Sequence, residues 1–305
     1  MPLAEAKSPP INATSIGLII EQQRKEMATP QVNLQFSLSP KGISYLSLQL
    51  AKYPFHVGRL LKNSSTPEEM AMLFLQSTSG GLFEHDRIGL KITAKTKAVA
   101  SVKHAAATVV HSMQQGQAIS RLNIVAEVGS YLEYTGNLNI LFPKSNLVNQ
   151  IDVELHPNAI TLISDAYLVH DPEQQANYFE QLDTTINVYN HHHQLLVKDR
   201  FLLSGVQLAS QLQAVDKKFD THASLYLLTP NCTTEENAVL LKIINESITN
   251  AELSKKEAYF GSGILPNQCG VFVRLMTRSG QSIQKLNNEI ANKLRNTYLK
   301  GIDKS

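Results

Sequence analysis

Apolar and polar positions alternate along much of the chain, and three segments alternate in the same way. LKITAKTKA (90–98), LNIVAEVGS (122–130) and IDVELHPNA (151–159) each carry aliphatic residues at their first and third positions and a small or apolar residue at the fifth. These are Leu90, Ile92 and Ala94, then Leu122, Ile124 and Ala126, then Ile151, Val153 and Leu155. A polar residue follows each time (Lys95, Glu127, His156), and a small one closes the turn (Ala98, Ser130, Ala159). The starts lie 32 and then 29 residues apart. A period of two marks a strand with one buried face. Each unit continues past its turn into a second such run, AVASV, SYLEY or AITLI. A unit of strand, tight turn, strand and connection cannot bury its apolar face alone, so successive units must stack. The pattern predicts a mainly β fold, with a solenoid-like or layered body of stacked strands over residues 31–220. An ordinary meander with evenly spaced hairpins is the alternative.

The character changes after residue 220. HASLYLL reads as a strand, and Thr233 is placed to cap a helix through TEENAVLLKIINESI, whose first turn is acidic. Leu240, Ile243, Ile244 and Ile248 fall on one face of that helix. Tyr259-Phe260 and GVFVRLM suggest two further strands. SIQKLNNEIANKLRNTYL closes the chain as a second helix, with Ile283, Leu286, Ile290 and Leu294 at helical spacing. Residues 221–305 are therefore expected to form a small α/β module with two helices, packed on the β body. Residues 1–30 form a polar N-terminal extension.

Composition removes several function classes. Twenty-eight basic and 26 acidic residues leave a net charge of only +2, without the clustered basic face that nucleic acid requires. No run of about 18 apolar residues is present, so no membrane-spanning helix is expected. The start, MPLAEAKSPPINATS, has Glu5 and no apolar stretch flanked by basic residues, unlike a secretory signal. Cys232 and Cys269 stand far apart and form neither a disulfide framework nor a zinc knuckle. A cytoplasmic location is expected. The chain is expected not to be an enzyme: GxSxG, P-loop and HExxH motifs are absent. An enzyme acting on polysaccharide from a β-solenoid would need two converging carboxylates, and the chain has no tryptophan to stack on sugars.

An ordered series of segments carries a more specific signal: LQFSLSPKGISYLSL, SGGLFEHDRIGLKI, HAAATVVHS, GSYLEYTGNLNILFPKSNL, NAITLISDAYLVH and QLLVKDRFLLSG. In order and spacing, this series resembles the UreD (UreH) family of urease accessory proteins, from about Gln31 to Lys300. The resemblance implies a scaffold or metallochaperone in nickel delivery to the urease active site, working in complex with UreF, the GTPase UreG and apo-urease. It also implies a water-filled path lined partly by acidic side chains, with nickel in transit and no permanently bound cofactor. A protein-interaction scaffold of the same ancestry that handles no metal is the alternative. Where the family has two glycines before its aspartate, this chain has Glu84 and His85, which predicts a less permissive backbone there.

By the same resemblance, Asp86 matches the aspartate of the family's glycine-rich segment, Asp165 the acid of its apolar strand, and Asp199 an acid preceding an arginine. Separated carboxylates can pass a divalent ion along without trapping it, as weak multiple sites do in conduction. A tight set of imidazoles or thiolates would hold nickel too firmly for that role. His85 is a weaker candidate beside Asp86. His104 is another, because it stands fourteen positions into its unit, as Asp165 does in its own. Stacked units would place these two side chains on one line. The run His191-His192-His193 could ligate a metal or form a solvated turn between strands. Structural roles compete with each acid: a turn for Asp86, a hydrogen-bonded buried acid for Asp165, and pairing with Lys198 or Arg200 for Asp199.

Overall fold

In the computed structural model, the described residues are 29–62, 66–175, 177–211, 219–251 and 258–299. The extension expected over residues 1–30 lies outside them, except for its last two residues. The repeat units stack as their alternation requires. Each contributes one strand to each of two facing sheets.

The first sheet has seven strands. Five run parallel: β1 (Val32–Leu38), β5 (Arg87–Ala94), β8 (Ala118–Ala126), β11 (Asn146–Leu155) and β13 (Gln181–Asn190). β2 (Ser44–Ala51) and β14 (Leu195–Ser204) close its edges in antiparallel fashion. The sequence repeat is also the hydrogen-bond register, since Leu90 pairs with Leu122 and Leu122 with Ile151. Ile92, Ile124 and Val153 form the next row. One buried face fixes that register, because a slip of one residue would turn every aliphatic side chain outward.

The second sheet is reached through the tight turns, in which Lys97, Gly129 and Asn158 recur with φ of 59°, 64° and 59°. Its parallel center is β4 (Ala71–Ser77), β6 (Val99–His104), β9 (Tyr131–Thr135) and β12 (Ile160–Val169). β3 (Phe55–Val57) borders it on one side. On the other side β15 (Thr221–Leu228), β17 (Gly270–Thr277) and β16 (Ala258–Ile264) continue it in antiparallel order. Two short parallel strands, β7 (Thr108–Val110) and β10 (Leu138–Leu141), extend it beside β12. The last third of the chain is thus hydrogen-bonded into the same sheet as the repeat.

Helix α1 (Gly205–Gln211) follows β14, while α2 (Thr234–Asn250) and α3 (Gly280–Tyr298) cover the outer face of the second sheet. Thr233 caps α2 through a capping box with Glu236. Ile283, Leu286, Ile290 and Leu294 are buried beneath α3, as their spacing predicted. The second sheet is therefore covered on both faces, and β9 is buried at every position. Among the described residues the first sheet is covered on one face only, and β11 alternates strictly between buried and half-buried residues.

Candidate functional site

Two apolar clusters fill the space between the sheets. One is built on Ile92, Ile124 and Val153, the other on Leu141, Leu147 and Phe179. Several polar side chains lie between the sheets near the join of these clusters. From the first sheet come Asn149 and Thr184, paired in register on β11 and β13. From the second sheet, Asp165 on β12 accepts hydrogen bonds from Asn149 Nδ2 and Thr184 Oγ1, both at 3.0 Å. Asp165 is only 6% exposed. Burial outweighs those two donors and pushes its carboxyl up to about 6.

His104 shares this layer. The registers Lys103↔Thr135 and Tyr134↔Ile163 bring His104 and Asp165 level with each other, two strands apart. Stacking on one line is what the equal offsets in the sequence repeat had predicted. Tyr134 on the intervening strand places its hydroxyl 2.6 Å from His104 Nε2. Burial pushes His104 down to about 4, leaving a neutral imidazole at neutral pH. The Tyr134 phenol is raised by burial and further by the Asp165 charge.

A pocket of about 660 Å³ reaches Asp165, and Tyr167, His222, Ser224, Tyr259 and Arg274 are among its other lining residues. Asp165, Ser224 and Arg274 pair across β12, β15 and β17, forming one polar row along the sheet. His222 stacks on Tyr167 with ring centroids 4.8 Å apart. Its Nε2 has no hydrogen-bond partner among the described residues, and burial pushes the imidazole down to about 4.

Asp199 sits next to this pocket but has partners of its own. It accepts from Tyr226 Oη at 2.6 Å and pairs with Arg274. Its sequence neighbor Arg200 points elsewhere, to Asp183 on β13. Asp86 and His85 lie apart, in the turn leading into β5. Asp86 Oδ2 accepts the Phe83 N–H at 2.8 Å, forming the turn, and Asp86 is not among the residues lining the Asp165 pocket. Exposed His85 takes φ of 71°, the region glycine favors. Glu84 fixes the turn by accepting backbone N–H groups of Gln115, Gly116 and Gln114, which hold its carboxyl below the usual range.

The layer thus brings Asp165 and His104 together, sets Asp199 beside them in an ion pair, and leaves Asp86 and His85 in a separate turn. Tyr134, Asn149, Thr184, His222 and Arg274 were not singled out from the sequence. The polar side chains at 149 and 184, on otherwise aliphatic inward positions, were the available signal. Among the described residues, no group of three or more His, Cys, Asp or Glu is arranged to hold a metal ion. None of their helices is long and apolar enough to cross a membrane.

Comparison with known proteins agrees with the series of segments. The family model described as UreD urease accessory protein matches residues 28–302. The chain is 34% identical over 252 residues to urease accessory protein UreD 1 of Pseudomonas syringae pv. tomato, covering 83% of this chain and 86% of that protein. It is 27% identical to urease accessory protein UreD 2 of Bradyrhizobium sp. BTAi1, covering 82% and 83%.

Proposed function

This chain belongs to the UreD family of urease accessory proteins, and from that premise we propose that it serves urease maturation as a nickel-delivery scaffold, acting with UreF, UreG and apo-urease in the cytoplasm. The observation that carries the metal-handling part is Asp165. It is a carboxylate buried between two sheets at a pocket, held by neutral donors and, among the described residues, by no cation. Burying a carboxylate without a countercharge is costly, and a passing divalent ion would relieve that cost. The amide, hydroxyl and neutral imidazole nearby are oxygen and nitrogen donors too few and too dispersed to trap the ion. Nickel is cargo here, in transit past Asp165, and no resident metal is proposed at that carboxylate.

Asp199 and Asp86 favor a second reading, a scaffold of the same ancestry that moves no metal, because both already have structural partners. Asp165→Ala decides between the two. In a host strain whose urease activation depends on this gene, transit predicts normal co-purification of the complex and urease with severalfold less nickel. Unchanged nickel content and activity would leave only the scaffold.

A further inference from the structure

Parallel pairing brings the C-terminal ends of β11 and β13 level, with Glu154 opposite Tyr189 and Leu155 opposite Asn190. The turn after β11 therefore stands beside the turn after β13, and histidines distant in sequence meet. His156 Nε2 lies 2.9 Å from Glu154 Oε1, and His193 Nδ1 lies 3.6 Å from Glu154 Oε2. The His191 ring centroid is 5.7 Å from that of His156 and 3.9 Å from that of His192. Four imidazoles and one carboxylate share this patch. Among the described residues, the ion-pair partners of Glu154 are these two histidines.

The turn that presents them is held from within. Asn190 Oδ1 accepts the backbone N–H groups of His192 and Gln194, each at 3.0 Å, and Asn190 Nδ2 donates to Gln194 Oε1 at 2.8 Å. The His193 N–H donates to the Asn190 carbonyl at 2.9 Å. The backbone is thus satisfied without the imidazoles, which project outward, and the His193 side chain is 80% exposed.

We propose that Glu154, His156 and His193 form a surface site for a divalent transition cation of the zinc, copper or nickel class, with His191 and His192 as further imidazole donors. Two donors bound to one such ion at about 2.0–2.2 Å stand roughly 3–3.5 Å apart. Glu154 already keeps close to these separations from His156 and His193. Imidazole with carboxylate suits these ions. The ligands are not yet arranged around a common point, and closing the site requires rotation of the exposed His193 side chain, a fast motion. The site lies apart from Asp165 and does not rest on the nickel-transit reading.

The test is calorimetric titration of the full-length chain, carrying no polyhistidine tag, with Zn²⁺ and separately with Ni²⁺. One equivalent of ion is expected to bind. Glu154→Gln and His193→Asn should each weaken binding more than about tenfold. Asparagine tolerates the left-handed conformation of residue 193, so that variant retains the turn, and circular dichroism checks the fold of both. Glu246→Gln on α2, whose carboxylate pairs with Lys293, should titrate like the wild type. A wild type that takes up no ion, Glu154 and His193 variants that bind as well as the wild type, or loss of binding in Glu246→Gln would each overturn the proposal.

Discussion

Two buried carboxylates on neighboring strands, Glu133 on β9 and Asp165 on β12, point to opposite faces of the same sheet and are treated in opposite ways. Glu133 faces the helices. Arg295 of α3 grips it with Nε at 2.8 Å and Nη2 at 2.5 Å, while the hydroxyls of Ser101 and Tyr131 donate at 2.8 Å. Asp165 faces the interior between the sheets and, among the described residues, has one amide, one hydroxyl and no cation. The first arrangement is a closed structural pair that ties the C-terminal helix to the repeat. The second leaves a carboxylate with unmet demand beside a pocket. Burial alone does not mark a functional acid. Burial without a matched countercharge is what sets Asp165 apart as a candidate.

The largest effect should come from breaking the closed pair. Arg295→Leu leaves Glu133 almost wholly enclosed without its cation, since the two side chains are 6% and 0% exposed. Removing one partner of such a pair costs about 3–5 kcal/mol. Urea unfolding should show that loss at neutral pH. A loss below about 1 kcal/mol would mean that the pair does not anchor α3, and the contrast with Asp165 would fail.

Asp165 should show itself through pH. Its folded value of about 6 lies above that of a free carboxyl. Between roughly pH 4 and pH 6 the folded state therefore binds more protons than the unfolded state, so stability falls as pH rises through this window and stays lower above it. The fall amounts to about 3 kcal/mol. Asp165→Asn should remove this component. The difference in unfolding free energy between variant and wild type should shift in the variant's favor by that order from pH 4 to pH 7. Comparing the two proteins cancels His104 and His222, whose depressed values act in the opposite direction. A pH-independent difference would show that the carboxylate is satisfied after all.

The contrast also explains how much of the molecule was legible in its sequence. Rows such as Leu90, Leu122 and Ile151 could be read because a sheet buried on one face leaves a period of two, and equal offsets then placed His104 level with Asp165. SYLEY gave no sign that Glu133 was buried, because both faces of β9 are covered and the alternation disappears. Its partner Arg295 lies 162 residues away in sequence. Arg274 reaches Asp199 across 75 residues, so the nearby Lys198 and Arg200 were misleading neighbors. The histidine patch depends on the parallel pairing of β11 with β13, which no local pattern encodes. Local periodicity fixed the register within the repeat, while the countercharges arrived from elements outside it.

The smallest expected effects give the sharpest form of the comparison: removing one hydroxyl donor from each carboxylate. Thr184→Val deletes one of the two hydrogen bonds that Asp165 accepts from Asn149 and Thr184, and a hydrogen bond to a charged group contributes about 1.5–3 kcal/mol. The lost donor favored the ionized form, so the Asp165 carboxyl should rise further. The pH window in which stability falls should then extend above about 6. Ser101→Ala deletes one donor from Glu133, but Tyr131 and both Arg295 contacts remain. Its cost should lie at or below that range, with no extension of the pH window that belongs to Asp165. The diagnostic quantity is the shape of the stability curve, since two hydroxyl deletions can have similar costs at one pH. A pH response in Ser101→Ala as large as in Thr184→Val would mean that the two carboxylates are not held differently, and the division between a closed acid and an open one would be lost.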